Sequence, residues 1–280
     1  MSATGNRVVL TGTGVPVPDP DRAGAGTLVE LDGVRIQVDA GRGTVQRLTA
    51  AMAPVQTLDV VLLTHHHSDH LVGLADLVLS RWLANAHNTT IVAPAGPTAR
   101  FAAGVLDQWQ DDIAVRIEHA GHDGAPTVAV QAFDAGPTPT EVWRSGAVAV
   151  SAVAVHHEPV RPAVAYRIDG PSGSVVVSGD TAVCGEVEAL AAGADVLVHE
   201  VRLRSFAEAA VGTHYEPIAA YHADAIDLGA SAERAGVGRL VLTHFIPPPI
   251  DGYEPFVDEV RRGGFTGELV AGDDLTTVAW

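Results

Sequence analysis

The chain has 280 residues, of which 47% are hydrophobic, and its formal net charge is −17 at pH 7. This length and apolar content suffice for a large α/β core, and because no long polar linker interrupts the chain we expect a single domain over residues 1–280. The negative charge and the absence of a basic cluster argue against RNA as a partner, because RNA binding draws much of its affinity from clustered Lys and Arg.

Strand and helix patterns alternate along the chain. Apolar and β-branched runs predict strands near residues 7–11, 27–38, 58–63, 90–93, 113–118, 127–132, 147–155, 163–168, 174–178, 195–199, 239–243 and 275–279. Apolar positions at helical spacing predict helices near residues 43–52, 70–85, 97–110, 184–192, 216–235 and 254–262. Residues 120–146 form the least regular stretch, and we expect them to shape a small-substrate pocket with Trp82, Trp109 and Trp143. Ordinary packing is the alternative, and the preferred one for Trp109.

The most informative segment is residues 64–70, which read Thr-His-His-His-Ser-Asp-His. Residues 58–63 before it have the composition of a buried strand, and residues 71–83 after it have helical periodicity. The histidines therefore lie in a turn between a strand and a helix. A surface histidine-rich tract is the alternative, but this tract is internal and flanked by regular patterns, unlike an artificial tag.

The spacing within this segment predicts a metal site. In an extended turn, positions two apart project to the same side, so His65 and His67 can reach one ion while His66 points away. Asp69 and His70 fall in the first turn of the helix, with their side chains directed back to the same cavity. Neutral imidazole and carboxylate are ligands that zinc prefers, and a catalytic site keeps one coordination position for water.

The pattern His65-x-His67-x-Asp69-His70 after a hydrophobic strand resembles the signature of the metallo-β-lactamase fold superfamily. The segments 8–16 and 39–43 resemble the ribonuclease Z and arylsulfatase-like branch of that superfamily. The resemblance covers nearly the whole chain and implies a four-layer αββα sandwich, in which two sheets pack face to face with helices outside.

Members of the family supply three further ligands, and this chain has a candidate for each. Asp180 follows a β-branched run in a Gly-Asp context and matches the bridging aspartate. His244 follows the strand-like run 240–242 and matches the last histidine. For the middle histidine we choose His157 over His156, because Pro-Val-x-Pro-Ala follows it after one residue as in the family pattern, although strand parity fits either residue.

The resemblance implies two divalent metal ions, zinc first, with manganese or iron as alternatives. One ion would be held by His65, His67 and His157, and the other by Asp69, His70 and His244, with Asp180 between them. Such a pair activates a water molecule for attack on an ester.

Two further residues are candidates for proton transfer. A histidine at the place of His222 is the proposed proton donor in ribonuclease Z-like enzymes, so His222 would act as general acid, oriented by Glu200. An exposed histidine at a helix start is the alternative. Asp69 would accept a proton from the attacking water.

The expected substrate is a small phosphodiester or sulfate ester. Transfer-RNA-processing ribonuclease Z carries a long arm, in short forms inserted between the middle histidine and the bridging aspartate, but only 22 residues separate His157 from Asp180 here. A carbon ester, such as a lactone or thioester, is the first alternative. A non-enzymatic metal or ligand sensor is the second, disfavoured because every ligand position is filled.

Cys184 is the only cysteine, so no internal disulfide can form and a cytoplasmic location is expected. We interpret Cys184 as a small buried thiol. No run of 18 apolar residues and no basic–apolar leader occurs, so we expect neither export nor a membrane partner. The resemblance implies a homodimer, although no surface stripe in the sequence indicates one.

Overall fold

The computed structural model describes residues 5–280, and within that range the chain forms two seven-stranded sheets. The strands are β1 (Arg7–Gly12), β2 (Gly26–Leu31), β3 (Val34–Val38), β4 (Val60–Leu62), β5 (Asn88–Pro94), β6 (Thr127–Phe133), β7 (Thr140–Ser145), β8 (Val148–Ala154), β9 (Val164–Gly170), β10 (Gly173–Val177), β11 (Val196–Arg202), β12 (Arg239–Ile246), β13 (Glu268–Ala271) and β14 (Thr277–Ala279). One sheet has the order β14-β1-β2-β3-β4-β5-β6 and the other β13-β12-β11-β10-β9-β8-β7.

Helices cover the outer faces of both sheets. They are α1 (Thr44–Ala50), α2 (Ser68–Leu71), α3 (Leu74–Leu83), α4 (Pro97–Ala103), α5 (Gln110–Ala120), α6 (Gly185–Leu190), α7 (Arg204–Ala210), α8 (Glu216–Ala220), α9 (Ala225–Ala235) and α10 (Glu254–Arg262). Among residues 5–280, no helix is long and apolar enough to cross a membrane.

Three apolar clusters hold the layers together. Leu62 and Tyr166 belong to the cluster between the two sheets. Leu77 of α3 packs in a second cluster on the outer face of the first sheet. Leu228 of α9 and Val260 of α10 pack in a third, on the outer face of the second sheet. The chain is therefore an αββα sandwich, which confirms the fold predicted from the resemblance.

One predicted strand is wrong, because residues 113–118 lie in helix α5. The run from Ile113 alternates apolar and other residues and so mimics a strand. Helical signals outweigh this alternation: Asp112 and Arg116 form an i,i+4 ion pair, and Gly121 ends the helix in the left-handed conformation.

Other boundaries also differ from the prediction. The predicted strand 27–38 is a hairpin of β2 and β3 that turns at Asp32 and Gly33. The predicted helix 216–235 is broken into α8 and α9, and residues 221–224 between them carry His222. The sequence pattern does not predict strands β7 and β13.

The topology collects the chemically interesting residues at one edge of the sandwich. Strands β3, β4 and β5 run parallel, as do β10, β11 and β12, so the carboxyl ends within each set meet at one edge. The turns after β3, β4 and β10 and the ends of β11 and β12 carry Asp39, the 64–70 segment, Asp180, Glu200 and His244, in that order.

A close approach of two backbone segments fixes the position of helix α2. Ala40 N donates to His70 O at 2.7 Å, and Gly73 N donates to Ala40 O at 2.9 Å. A Cβ atom on Gly41 would lie 2.2 Å from Asp69 O and 2.4 Å from Gly24 C. Only glycine allows the turn after β3 to contact α2 at this distance.

We expect Gly41→Ala to lower the free energy of unfolding by about 1–3 kcal/mol, because the added methyl overlaps backbone atoms that cannot rotate away. Gly185→Ala is the matched control, because a Cβ there would have no neighbour within 4 Å. Urea unfolding of both variants measures the difference. Equal stability of the two variants would show that the turn after β3 can move.

Candidate metal centre

In the segment after β4, His65 and His67 share one group of candidate ligands and His66, between them, does not belong to it. His67 precedes α2 in an extended conformation, with φ −68° and ψ 145°. Thr64 Oγ1 lies 2.9 Å from His65 Nδ1, which fixes the imidazole of the buried His65. His66 belongs to none of the metal-ligating groups found among residues 5–280.

A first group of candidate ligands has atoms within 4.8 Å of one another and consists of His65, His67, His157 and Asp180. His157 Nε2 lies 3.2 Å from His67 Nδ1, and the other ring nitrogen of His157 lies 3.2 Å from Tyr221 O. His156 points away from this group and faces Glu186. The structure therefore brings His157, and not His156, to the first group.

A second group consists of Asp69, His70 and His244. His244 Nε2 lies 3.2 Å from Asp69 Oδ2, and His70 Nε2 lies 3.7 Å from the same oxygen. His244 has a positive φ of 46° and is the extra residue in a bulge, because Glu200 pairs with Thr243 while Val201 pairs with Phe245. Bulges redirect side chains, and this one turns the imidazole into the cluster.

Asp180 lies between the two groups. Its Oδ2 is 3.8 Å from His65 Nε2 and 3.9 Å from His157 Nε2 on one side. On the other side it is 3.3 Å from His70 Nε2 and 3.5 Å from His244 Nε2. A carboxylate in this position can serve two ions at once.

The donor set fits metal ions. The structure leaves several buried polar atoms of the cluster without a hydrogen-bond partner: His65 Nε2, Asp69 Oδ1, His70 Nε2 and His244 Nδ1. Buried polar atoms are normally satisfied, so a concentration of unsatisfied imidazole and carboxylate atoms at one point is typical of a metal site.

The histidines of the first group are held neutral. Burial and the neighbouring His157 lower the pKa of His67 to about 4. Burial likewise lowers the pKa of His65, with His70 adding to the shift, and burial lowers the pKa of His157. Neutral imidazole is the form that binds a metal, so these side chains need lose no proton at neutral pH.

In the second group, nearby carboxylates raise the pKa values of the histidines. Burial opposes protonation of His70, but Asp180 and Asp39 raise its pKa well above the ordinary value. Burial also opposes protonation of His244, and Asp180 and Asp69 raise its pKa. The same attraction, against burial, holds the pKa of Asp180 well below its usual range. This part of the cluster therefore favours positive charge, which divalent cations would provide.

Asp39, which the sequence does not single out as a site residue, orients both groups. Its Oδ1 accepts from Thr64 N at 2.8 Å, and its Oδ2 lies 2.8 Å from Thr64 Oγ1 and 2.7 Å from His70 Nδ1. The residue adopts the left-handed conformation, with φ 57°. Asp39 thus fixes the ring of His70 so that Nε2 faces Asp180, a role often played by carboxylates behind metal-binding histidines.

We expect Asp39→Asn to weaken metal affinity by about 10–100-fold, because an amide group cannot accept all three of these contacts. Competition with a chromogenic chelator measures the affinity. Asp169→Asn, which removes a surface ion pair with Arg167, is the control and should leave the affinity unchanged. Wild-type affinity in Asp39→Asn would contradict the orienting role.

His222 and Glu200 form a buried pair beside Asp180. His222 Nδ1 lies 2.8 Å from Glu200 Oε1, which also accepts from Thr181 N at 3.1 Å and Ala223 N at 3.2 Å. The His222 ring stacks against His244 with centroids 5.7 Å apart. Glu200 therefore links the turn that carries Asp180 to the turn that carries His222.

A cavity of about 610 Å³ opens above the cluster, and His67, Asp180 and His222 lie at its base. Its walls are mainly apolar and aromatic and include Phe206, Tyr215, Ile218, Tyr221 and Pro248. Trp82, Trp109 and Trp143, expected to shape a pocket, do not line it. Trp82 is fully buried, Trp143 packs against the core between the sheets, and Trp109 is exposed. The pocket aromatics are instead Phe206 of α7 and the two residues that flank α8, Tyr215 and Tyr221.

Comparison with protein-family models matches residues 34–245 to the beta-lactamase superfamily domain. Ribonuclease Z from Mycobacterium avium (strain 104) is 38% identical over 275 residues, which cover 97% of both chains. The chain belongs to the ribonuclease Z branch of the metallo-β-lactamase superfamily. It is accordingly a metal-dependent hydrolase.

Solved structures show the same fold. The metallo-beta-lactamase fold protein YhfI from Bacillus subtilis superposes with a TM-score of 0.72 at 20% identity, covering 99% of this chain and 100% of that one. The short form of human tRNase Z superposes with a TM-score of 0.68 at 20% identity, covering 98% of each chain. At these identities, the likeness establishes the fold alone.

The expectation that RNA is not a partner is wrong. A relative that matches along 97% of both chains is named a ribonuclease, and that coverage leaves no room in it for a long additional arm. Neither the missing arm nor the net charge therefore excludes RNA. The charge of −17 is a sum over the whole chain. The attraction between the protein and a phosphate group depends on the charge at the cluster, where bound divalent ions would add positive charge.

Membership in this family also bears on the other expectations. A hydrolase family argues against the non-enzymatic sensor that we considered. The mycobacterial relative is named for cleavage of RNA and not of sulfate esters. Sulfate esters as substrates, the cytoplasmic location and the homodimer therefore stay predictions.

Proposed function

We propose that this protein is a ribonuclease that uses two divalent metal ions, zinc first, to hydrolyse a phosphodiester bond in RNA. The observation that carries the proposal is the position of Asp180 between two groups of ligands, within 3.9 Å of ring nitrogens from both. Two metal ions about 3.5–4 Å apart are typical of phosphodiester hydrolysis. RNA as the substrate is supported by the name of a relative that is 38% identical along 97% of both chains.

The residues present would hold the ions in two sets that share one carboxylate. We assign His65, His67 and His157 to one ion, Asp69, His70 and His244 to the other, and Asp180 to both. When bound, such a pair lowers the pKa of a water molecule and stabilises the charge that develops on the phosphate.

We assign Asp69 to accepting a proton near the scissile bond. Its Oδ1 has no hydrogen-bond partner, while its Oδ2 lies 3.2 Å from His244 Nε2. One oxygen is therefore oriented and the other is free. We assign the free oxygen to orienting the attacking water and accepting its proton.

We assign His222 to protonating the leaving oxygen. It lies at the base of the cavity, and its Nδ1 contact with Glu200 directs the other ring nitrogen towards Asp180 and His244. A carboxylate behind an imidazole fixes its tautomer and its orientation, which a general acid requires. Glu200 is thus a positioning residue, and His222 is the proton donor.

The walls of the cavity suit a nucleobase next to the scissile phosphate. Phe206 and Tyr215 contact each other edge to face with ring centroids 6.1 Å apart, and Tyr215 is 47% exposed. Exposed aromatic rings beside a phosphate-binding centre bind single-stranded RNA by stacking, at about 1–3 kcal/mol per base. This arrangement provides affinity without a basic cluster.

A substrate panel tests the proposal. The metal-loaded protein is given a transfer RNA with a 3′ extension, a nitrophenyl phosphodiester, an aryl sulfate and a lactone. We expect cleavage of the RNA that stops on chelation and returns with Zn²⁺ or Mn²⁺. Hydrolysis of the small phosphodiester while the RNA stays uncleaved would contradict RNA as the substrate. Hydrolysis of only the sulfate or the lactone would contradict phosphodiester hydrolysis as the reaction.

A further inference from the structure

Besides the two groups of the catalytic cluster, a separate set of metal-ligating side chains lies outside it. His156, Cys184 and Glu186 each offer a ligand atom, and these atoms lie within 4.8 Å of one another. His156 follows β8, whereas Cys184 and Glu186 lie at the start of α6. The catalytic ligands do not include any of the three.

The geometry of this group is close to that of ligands on one ion. His156 Nε2 lies 3.3 Å from Glu186 Oε2. Two ligands at about 2.0–2.2 Å from a tetrahedral zinc ion are separated by roughly 3.3–3.6 Å. His156 and Glu186 can therefore bind one ion, and Cys184 Sγ lies within 4.8 Å of a ligand atom of each. The His156 side chain is 53% exposed and so is free to adjust.

The surroundings leave space for an ion and for a further ligand. His156 and Glu186 line a cavity of about 580 Å³ that is distinct from the cavity above the catalytic cluster. Burial raises the pKa of the Cys184 thiol, so an ion that binds there must displace the thiol proton. Thiolate, imidazole and carboxylate together are a donor set suited to zinc.

We infer that His156, Cys184 and Glu186 form a third metal site, which binds a zinc-class divalent ion and keeps one coordination position open to this cavity.

The site is connected to the catalytic cluster through the backbone. His156 N donates to Thr181 Oγ1 at 3.1 Å, and Ala182 N donates to His156 O at 2.8 Å. The residues next in sequence to His156 and Thr181 are His157 and Asp180. An ion at the third site would hold together the two turns that supply these catalytic ligands.

Cobalt provides a direct test. The protein is first loaded with enough Zn²⁺ to fill its catalytic centre. Co²⁺ is then added while thiolate-to-cobalt charge-transfer absorption is recorded. Because Cys184 is the only cysteine, such a band can arise only at this site. We expect a saturable band that corresponds to one Co²⁺ per chain, whether or not RNA is cleaved.

Variants that keep the thiol make the test specific. We expect His156→Ala and Glu186→Gln to weaken Co²⁺ binding by at least about tenfold, since even the loss of an outer-shell partner weakens metal affinity about 10–100-fold. His119→Ala, which removes an exposed histidine beside Glu118, should leave the band unchanged. Absence of the band in the wild type, or an equal band in His156→Ala and Glu186→Gln, would overturn the third site.

Discussion

Replacing His67 by alanine is expected to abolish RNA cleavage and to leave the purified protein short of metal. His67 closes the first group of ligands, where its Nδ1 lies 3.2 Å from His157 Nε2, and it lies at the base of the cavity. Without it, the ion shared with Asp180 would keep only His65 and His157 as further protein ligands. Removing one member of a three-histidine set weakens a metal site by at least about 10–100-fold.

His66→Ala is the matched control for this experiment. His66 is the neighbouring histidine of the same segment, but it lies outside both groups of ligands. Metal content per chain, measured by elemental analysis, and cleavage of a labelled RNA are determined for both variants. An active, metal-free His67→Ala variant would contradict the assignment, as would equal loss in both variants.

Replacing His222 by alanine is expected to leave both metal ions bound but to slow RNA cleavage by about 10²–10⁴-fold, the usual contribution of a general acid. The loss should depend on the leaving group. A ribose oxygen needs a proton as it departs, whereas a nitrophenolate does not. We therefore expect the same variant to retain most of its rate on a nitrophenyl phosphodiester.

This comparison separates proton donation from a structural role. If His222 only supported the fold of the turn between α8 and α9, both substrates would be affected equally. Glu200→Gln should reduce the RNA rate less than His222→Ala, because Gln keeps a side-chain oxygen near His222 Nδ1 and so still orients the ring. His119→Ala controls for the loss of an unrelated histidine.

The parts of the site that can be predicted are those whose geometry is local. His65, His67, Asp69 and His70 lie within one strand–turn–helix unit, so the periodicity of the two flanking elements is sufficient to place them on a common cavity. Resemblance to the family then supplies His157, Asp180 and His244, and the structure brings all of these residues together.

Asp39 cannot be found in this way. It lies 25 residues before Thr64 in the sequence, and its contacts with Thr64 and His70 depend on the parallel pairing of β3 with β4. An aspartate followed by Ala-Gly after a strand is also an ordinary turn residue. Its left-handed conformation and its role behind His70 become visible only when the two strands are adjacent.

The wrong predictions of secondary structure and of the pocket also arise because a local pattern does not determine its three-dimensional surroundings. Helix α5 is amphipathic over too few residues for its period to exceed the strand-like alternation that begins at Ile113. Residues 120–146 look irregular and so suggest a pocket. The stretch contains β6 and β7, and its residues 134–137 line the cavity beside His156, not the cavity above the catalytic cluster. Irregular sequence and position near a site are independent properties, and helices α7 and α8, which flank the cavity, do not stand out by composition.

The mistaken exclusion of RNA comes from treating charge as a sum. The net charge of −17 is a sum over the whole chain and does not describe the potential at the catalytic centre. A surface can be acidic overall while its catalytic centre attracts phosphate through bound cations. Stacking on Phe206 and Tyr215 would add affinity that does not depend on charge.

Anomalous diffraction from crystals of the zinc-loaded protein tests the dinuclear centre most directly. Within the cluster we expect two peaks, about 3.5–4 Å apart on either side of the Asp180 carboxylate. One should be surrounded by His65, His67 and His157, and the other by Asp69, His70 and His244. A single peak in the cluster, or two peaks that do not share Asp180, would contradict the dinuclear centre on which the proposed phosphodiester hydrolysis depends.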